Sequence, residues 1–376
     1  MKPEILAPVG SMEALNAALA AGCDAVYFGL PSFGARAFAN NFDLKTTKEV
    51  IERCHLCGVK VYITMNTILY EDEIEDAYNM AKKVHSFGVD ALIIQDLGFI
   101  HLLHHRLPNL VLHASTQLSV SNPYQIEQLK KLGVKRVVLA RECTKEEIQA
   151  CVDTGIEVEV FVHGALCICY SGQCYFSSVH YGRSGNRGMC AQPCRMKYNL
   201  YEDGNKVDTH GDYVLSPKDL SLMDEVNTLA NMGVCSLKIE GRMKSAPYVY
   251  ESVSQVKKVL ENIQRSNLDE QNLRVTFNRE YTLGHMYKAT GNELMNNKTC
   301  NHQGIEIGKV VKVNKNKICI QLSQDLHQND GIRFERENLG CHVNFMYDKK
   351  QKLISFMPKN NTVLIEGPAG VHVGSV

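Results

Sequence analysis

Five cysteines stand close together near the middle of the chain, in the stretch EVFVHGALCICYSGQCYFSSVHYGRSGNRGMCAQPCR at 159–195. Glycines lie between them, and glycine lets a backbone turn tightly around a bound group. A strand-like run at 156–162 leads into the stretch, so the cysteines begin where a buried strand would emerge into a loop. Cysteine thiolates are ligands for zinc and for iron–sulfur clusters. The sequence therefore indicates a metal-binding loop.

The spacing of these cysteines favours one kind of metal site. Six residues separate Cys167 from Cys174 and three separate Cys190 from Cys194, without the CxxC pair that is typical of a zinc ribbon. We therefore predict an iron–sulfur cluster with Cys167, Cys174, Cys190 and Cys194 as its four ligands, and zinc is the less favoured alternative. We interpret Cys169, which has apolar neighbours, as a small buried side chain.

Composition narrows the class of protein. The chain has 376 residues, with 41 Lys and Arg against 41 Asp and Glu, so no overall charge favours nucleic acid or membrane, and any RNA binding has to be local. The first residues lack the apolar segment of a secretory signal, and no run approaches 18 apolar residues, so we expect a cytoplasmic protein without membrane contact. The 14 cysteines are then thiols or metal ligands rather than disulfides.

Short apolar runs alternate with amphipathic helical patterns over roughly the first 260 residues. The predicted strands are Glu4–Ala7, Ala25–Phe28, Val59–Thr64, Ala91–Ile94, Leu110–His113, Arg136–Leu139, Glu157–Val162 and Cys235–Ile239. Eight strand–helix alternations of this length predict a (β/α)8 TIM-like barrel at 1–264. A doubly wound sheet is the rival, but no GxGxxG follows the first strand. The cysteine-rich insert, at about 163–215, would make the barrel irregular between its seventh and eighth strands.

Active sites of such barrels lie at the C-terminal ends of the strands, and nearly every predicted strand here ends in a polar residue. The predicted catalytic residues are His163, Glu240, Arg242, Arg141 and Glu142. The predicted substrate-binding residues are Arg36, Asn66, Gln117 and Lys238. Two alternatives stay open, because histidine can simply bind a loop carbonyl, and an inward lysine or glutamate can belong to an internal ion pair that only orders the site.

The pattern changes after the last predicted barrel helix. The polar stretch RSNLDEQN at 265–272 resembles a linker, and short runs of period two follow from about Tyr281. We predict a linker and a small all-β barrel domain within 265–376. Grouped lysines, including Lys309, Lys312 and Lys350, would suit RNA phosphates, although a solvated strand face explains them equally well.

Four blocks of the sequence resemble the collagenase-like peptidase family U-32. They are MKPEILAPVGS, EVFVHGALCICYSGQCYFS, its continuation GRSGNRGMCAQPCR, and SLKIEGRMKS. Members of this family include RNA hydroxylases with a [4Fe-4S] cluster on four cysteines, proteins of oxygen-independent quinone hydroxylation, and proteins described as collagenases. The segment NHQGIEIGKVVKV is also similar to the opening strand of small C-terminal barrels in this family.

The resemblance implies an RNA-modifying enzyme. It would hydroxylate a pyrimidine, uridine of tRNA or cytidine of 23S ribosomal RNA, with prephenate as the small anionic hydroxyl donor. A collagenase-like peptidase is the alternative, although the chain has no HExxH and no GxSxG, and a Cys167–His163 dyad fits four grouped cysteines less well than a cluster does. A third hypothesis is a cluster-carrying accessory protein of quinone hydroxylation.

Overall fold

The computed structural model describes residues 2–35 and 41–376. Eight parallel strands form a closed barrel, as predicted. Its strands are β1 (Glu4–Pro8), β2 (Ala25–Gly29), β3 (Lys60–Met65), β4 (Ala91–Ile94), β5 (Leu112–Ala114), β6 (Arg136–Val138), β7 (Glu157–Ala165) and, after three short strands of the insert, β11 (Ser236–Ile239). Each strand pairs with the next, and β11 closes the ring by pairing with both β1 and β7.

Helices alternate with the barrel strands, and two further helices lie outside this alternation. The helices are α1 (Met12–Ala21), α2 (Leu44–Leu56), α3 (Ile74–Ser86), α4 (Leu97–Arg106), α5 (Pro123–Lys131), α6 (Lys145–Val152), α7 (Phe176–Tyr181), α8 (Val226–Met232), α9 (Ala246–Leu260) and α10 (Asn267–Thr276). The two outside the alternation are α7 in the insert and α10 after α9. Side-chain caps explain where several helices begin, because Ser11, Asp43 and Asp96 each accept a hydrogen bond from a free amide of the first turn. None of the described helices is both long and apolar enough to cross a membrane.

The insert between β7 and β11 interrupts the alternation. It contains α7, the small hairpin β8 (Tyr201–Glu202) and β9 (Asn205–Lys206), and β10 (Asp219–Ser221). β10 runs antiparallel to the end of β7, beyond the residues of β7 that pair with β6, and pairs in turn with β12 (Tyr281–Thr282). The predicted irregularity between the seventh and eighth barrel strands is therefore present.

Strand alternation divides the core of the barrel into two parts. Outward residues such as Ile5 and Val26 pack against the helices in the main apolar core. Inward residues such as Leu6, Tyr27 and Tyr62 form a smaller cluster inside the barrel. Because successive side chains of a strand point to opposite faces, each strand supplies both parts.

The second compact unit, Gln303–Val376, consists of antiparallel strands, so the all-β prediction is confirmed. Its strands are β13 (Gly308–Asn314), β14 (Lys317–Leu322), β15 (Leu326–His327), β16 (Gly331–Phe334), β17 (Leu339–His342), β18 (Met346–Tyr347), β19 (Leu353–Ile354), β20 (Phe356–Met357) and β21 (Thr362–Glu366). They pair as one five-stranded sheet and two two-stranded ribbons.

The first compact unit extends to His302, past the boundary at 264 that the sequence suggests. The predicted linker at 265–272 is instead the beginning of α10, where Ser266 and Asp269 form a capping box. β12 joins the barrel sheet through β10, so Tyr281 belongs to this unit and not to the all-β one. The polarity of this stretch reflects an exposed helix face and its cap rather than a linker.

Candidate active site

A network of charged side chains fills the lower part of the barrel. Arg136 donates to Glu4 at 2.7 Å and to Glu159 at 3.3 Å, and Lys238 lies 2.9 Å from the other oxygen of Glu159. Burial alone would raise the pKa of Glu159, but Lys238 and Arg136 outweigh it and hold that pKa below its ordinary value. Lys238, which the sequence predicts to bind substrate, thus lies in an internal ion pair that supports the site from below.

Arg141 and Glu240 form the central ion pair at the C-terminal mouth of the barrel. Arg141 Nη2 lies 2.7 Å from Glu240 Oε2, and its Nη1 donates to the carbonyl of Ala165 at 3.0 Å. Both side chains are nearly buried, and the guanidinium also packs over the ring of Phe161. The structure therefore brings together two of the predicted catalytic residues.

Arg242 lies across the mouth in a cradle left by a glycine. Its Nη1 donates to Thr64 Oγ1 at 3.0 Å. A Cβ atom at Gly29 would lie only 2.2 Å from that nitrogen, so the absence of a side chain there makes room for the guanidinium. Arg242 is 7% exposed, which leaves it a buried cation at the position where the barrel opens.

Glu142 holds the cysteine-rich insert rather than facing open space. Its two oxygens accept hydrogen bonds from the amide and the hydroxyl of Ser171, at 3.1 and 3.2 Å. The next residue, Gly172, lies against the carbonyl of Gln117, since a Cβ on it would come within 2.0 Å of that oxygen. Ser119 also donates a hydrogen bond to the Ser171 carbonyl. In this arrangement Glu142 acts as a positioning residue for the insert.

The predicted substrate-binding residues occupy different places. Asn66 accepts a hydrogen bond from the amide of Ala35 at 3.1 Å and donates to Ser115 Oγ at 3.3 Å, so it joins two loops of the mouth. Gln117 lies at the same end of the barrel and its carbonyl accepts a hydrogen bond from the side chain of Gln95. Arg36 lies outside the described residues.

The four predicted ligand cysteines interact electrostatically with one another. Burial raises the pKa of Cys194 to about 11, and the thiolate charges of Cys167, Cys190 and Cys174 contribute further to the rise. Burial and the neighbouring Cys174 and Cys190 likewise raise the pKa of Cys167. Gly185 lies between the two halves of the insert, where a Cβ would be 3.6 Å from Cys190 Cβ.

The donor set suits a thiolate-ligated cluster in kind and number. The thiol of Cys169 donates to the carbonyl of Gln173 at 3.3 Å. Cys169 is partly exposed, as Cys174 and Cys194 are, so the expectation that it is a buried side chain is wrong. Within the described residues, no three Cys, His, Asp or Glu side chains already form a metal-binding group. The four thiols would thus have to approach one another more closely to bind a cluster.

His163 lies in a second, largely buried polar cluster beside the mouth. Its ring is 1% exposed, stacks on Tyr248 at 5.6 Å and meets the edge of Tyr281 at 5.4 Å. Burial lowers the pKa of His163 to about 4, so the imidazole is neutral at pH 7. His163 is thus suited to hydrogen bonding rather than to carrying charge.

Sequence reasoning missed the charged residues of this cluster. Four charged residues belong to it, and each is at least partly buried: Arg195 of the insert, Asp219 of β10, Lys244 of the loop after β11 and Arg279 of the segment between α10 and β12. Arg279 donates to Asp219 Oδ1 through both Nε and Nη2, at 3.1 and 2.5 Å. Lys244 stands two residues after Arg242 in SLKIEGRMKS, which is the one signal in the sequence that could have marked it.

Three buried polar atoms at the mouth lack a hydrogen-bond partner in the part of the chain that the structure describes. Gln95 Oε1, Arg141 Nε and His163 Nδ1 find no hydrogen-bond partner among residues 2–35 and 41–376. Buried polar groups are normally satisfied, so such atoms need an explanation. All three belong to strand ends or to the loop after β6, where a barrel enzyme binds its substrate.

A protein-family model matches most of the chain. The model described as peptidase family U32 matches residues 10–296, which include every barrel strand except β1, together with the insert and β12. The chain belongs to peptidase family U32. The matched range covers the ion pair at the mouth, the four cysteines and the cluster around His163, and the predicted family resemblance is therefore confirmed. Three of the four sequence blocks lie inside this range, and the first block, at 1–11, overlaps it only at Gly10 and Ser11.

Relatives in this U32 family have two kinds of name. The chain is 35% identical, over 98% of its length, to a 23S rRNA 5-hydroxycytidine synthase of Escherichia coli, and 40% identical, over 69%, to a tRNA hydroxylation protein of Bacillus subtilis. It spans 57% and 63% of the length of these two proteins. It is also 34% identical, over 75% of its length, to a collagenase of Porphyromonas gingivalis, of which it covers 73%.

Proposed function

We propose that the protein is an RNA-modifying enzyme that hydroxylates a pyrimidine base, giving 5-hydroxyuridine in tRNA or 5-hydroxycytidine in 23S ribosomal RNA. A [4Fe-4S] cluster on Cys167, Cys174, Cys190 and Cys194 would serve as its cofactor, and prephenate would serve as the hydroxyl donor. The observation that carries this proposal is the position of four cysteines on an insert that follows β7, at a barrel mouth that also presents a nearly buried Arg–Glu pair. The names of the RNA-modifying relatives support the substrate class.

The protein's own groups would position the reactants. The cluster, when bound, would supply one-electron chemistry. The positive charge of Arg141 acts on Cys167 and opposes the rise in the pKa of that thiol. Arg141 would orient an anionic reactant, and Glu240 would keep the guanidinium in place. His163, neutral and with a free Nδ1 within the described part of the chain, would hold or accept one proton at that atom. Arg242 would present a fixed positive charge at the opposite side of the mouth.

Exposed aromatic rings beside the cysteines would suit an RNA base. Tyr170, Tyr175 and Tyr181 are 65%, 59% and 50% exposed, and all lie on the insert. An unpaired base can stack on such rings, since every base has a π face. This surface lies close to the proposed cluster, whereas the exposed lysines of the all-β unit would contribute charge but no stacking.

A peptidase is the competing function, because a relative bears the name collagenase. It would need a nucleophile with a base within hydrogen-bond reach. His163 packs between two tyrosines, and its Nδ1 has no hydrogen-bond partner, Cys167 included, in the described residues. The geometry therefore favours the hydroxylase over a Cys167–His163 dyad.

The proposal is tested by nucleoside analysis of RNA from a strain that lacks the gene. We expect 5-hydroxyuridine or 5-hydroxycytidine to disappear from mass spectra of digested tRNA or ribosomal RNA. The wild-type gene and Cys169→Ala should restore the nucleoside, whereas Cys174→Ala should not. Unchanged levels of both nucleosides in the deletion strain would contradict the proposed function.

A further inference from the structure

Arg195 is a buried cation whose partners among the described residues are a hydroxyl and a carbonyl group. It is 8% exposed, and its Nη1 donates to Ser216 Oγ at 2.7 Å and to the carbonyl of Pro217. It forms no ion pair with a carboxylate anywhere in the described residues. A guanidinium cannot lose its charge at neutral pH, so burying it without an anion is costly. A side chain kept in this state is poised for an anion that comes from outside the chain.

The nearby carboxylates do not supply that anion. Asp219 is used by Arg279, whose side chain and backbone amide occupy both carboxylate oxygens at distances of 2.5 to 3.1 Å. Glu240 is held by Arg141 at 2.7 Å. The cluster around His163 therefore has more cations than anions, because Arg195 and Lys244 come in addition to these two pairs.

Lys244 adds a second positively charged group at the same place. Its ammonium lies over the ring of Phe277 and near that of Tyr248, and the side chain is half-buried. Burial lowers the pKa of Lys244 to about 7, against the opposing attraction of Asp219. Arg195 and Arg279 lower it further, and Glu240 raises it. Lys244 thus changes its charge near neutral pH and would gain a proton when an anion binds.

The polar residues around His163 also offer a ligand one hydrogen-bonding atom and several apolar ring surfaces. His163 Nδ1 is buried and without a partner in the part of the chain that the structure describes. The rings of Tyr248 and Tyr281 flank the imidazole, and that of Phe277 lies next to Lys244. A ligand here would meet two cations, one neutral imidazole nitrogen and several aromatic faces.

We propose that Arg195 and Lys244, with His163 Nδ1 between aromatic rings, form a binding subsite for a small organic carboxylate. The burial of Arg195 and His163 favours a small molecule over the phosphates of an RNA chain, which would have to enter with their sugars. As the subsite of the hydroxyl donor it rests on the proposed function, but its binding chemistry can be measured independently.

The test is calorimetric titration of the anaerobically purified protein with prephenate and, separately, with inorganic phosphate. We expect prephenate to bind, and Lys244→Met and Arg195→Gln each to weaken binding at least tenfold, with iron content unchanged in Lys244→Met. The control is Lys197→Gln, because Lys197 pairs with Asp212 on the surface, and it should bind as the wild type does.

The affinity should also depend on pH through Lys244. The free protein has Lys244 protonated below about pH 7, so binding should be full there and weaken by up to tenfold per pH unit above it. His163, with a pKa of about 4, does not titrate in this range. Lys244→Met should remove the dependence between pH 6 and 8.

The outcomes separate this subsite from the proposed function. Wild-type affinity in Lys244→Met, or binding of phosphate but not of prephenate, would overturn the subsite. Loss of iron in Arg195→Gln together with unchanged prephenate binding would show that Arg195 serves only as a counter-ion for the neighbouring Cys194, and would also overturn it. Prephenate binding that follows the expected pattern, in a protein whose deletion leaves RNA unmodified, would sustain the subsite and refute the hydroxylase.

Discussion

The Arg141–Glu240 pair is the residue-level feature on which the mouth of the barrel depends. It links the loop after β6 to the end of β11, and Arg141 also binds the carbonyl at the end of β7. Exposed ion pairs contribute little to stability, but a nearly buried pair leaves an uncompensated charge when one partner is removed. The pair therefore supports both the fold and the site.

We predict that Arg141→Met lowers the free energy of unfolding by about 3–5 kcal/mol, because the nearly buried Glu240 carboxylate would lose the guanidinium that lies 2.7 Å from it. The control is Lys48→Met, which breaks the exposed helical pair with Glu52 and should cost about 0.5 kcal/mol or less. Urea unfolding of the wild type and the two variants under anaerobic conditions measures both losses of unfolding free energy. Equal losses in the two would show that the pair at the mouth is not effectively buried.

Sequence reasoning singled out Arg141, Glu240 and the four cysteines because each follows a strand or stands in a distinctive spacing, and their roles stay predictions. It did not find Arg195 or Lys244. Neither residue forms an ion pair with a carboxylate within residues 2–35 and 41–376, and both are at least partly buried. Burial where four distant segments meet leaves no local pattern in the sequence. The role of Glu142 was also invisible, since its partner Ser171 is 29 residues away in the chain.

At the scale of elements, the insert is fastened to the barrel at a few points. Gly172 lies against the loop after β5, and Arg187 reaches the loop after β3, where it binds the carbonyl of Ile68 and the carboxylate of Glu73. The ring of Tyr70 stacks on the same guanidinium. These contacts hold the cysteines over the mouth, so cluster loading should depend on them.

We predict that Gly172→Ala greatly reduces the iron content, because the new Cβ would lie 2.0 Å from the carbonyl of Gln117 and push the insert away. Gly182→Ala is the matched control. Both glycines have a positive φ, 78° and 62°, but nothing lies within 4 Å of a Cβ at Gly182. The control should lose about 1 kcal/mol of stability and keep its iron. Similar iron contents in the two would mean that docking at Gly172 is unimportant.

The elements themselves were largely predictable. The eight barrel strands are evident from short apolar runs, because a buried parallel strand needs apolar residues on both faces. The stretch at 265–272 was not recognised as a helix, since its polar composition outweighed the capping signal of Ser266 and Asp269. The pairing of β10 and β12 was also missed, because these strands have only three and two residues.

At the scale of the whole molecule, chemistry is concentrated in the first compact unit. The barrel, the insert and β12 lie within Met1–His302, and the family model ends inside this unit. In the all-β unit, Lys309, Lys312 and Lys317 are exposed on β13 and β14, which is compatible with RNA binding but also with a solvated strand face. Tests of function should therefore begin with the four cysteines.

The most direct test is the iron and sulfide content of the anaerobically purified protein, together with its visible spectrum. We predict about four irons per chain with a broad thiolate-to-iron absorption in the wild type and in Cys169→Ala, and loss of both in Cys174→Ala. A colourless wild-type protein without iron would contradict the central claim, and zinc analysis and peptidase assays would then be the next step.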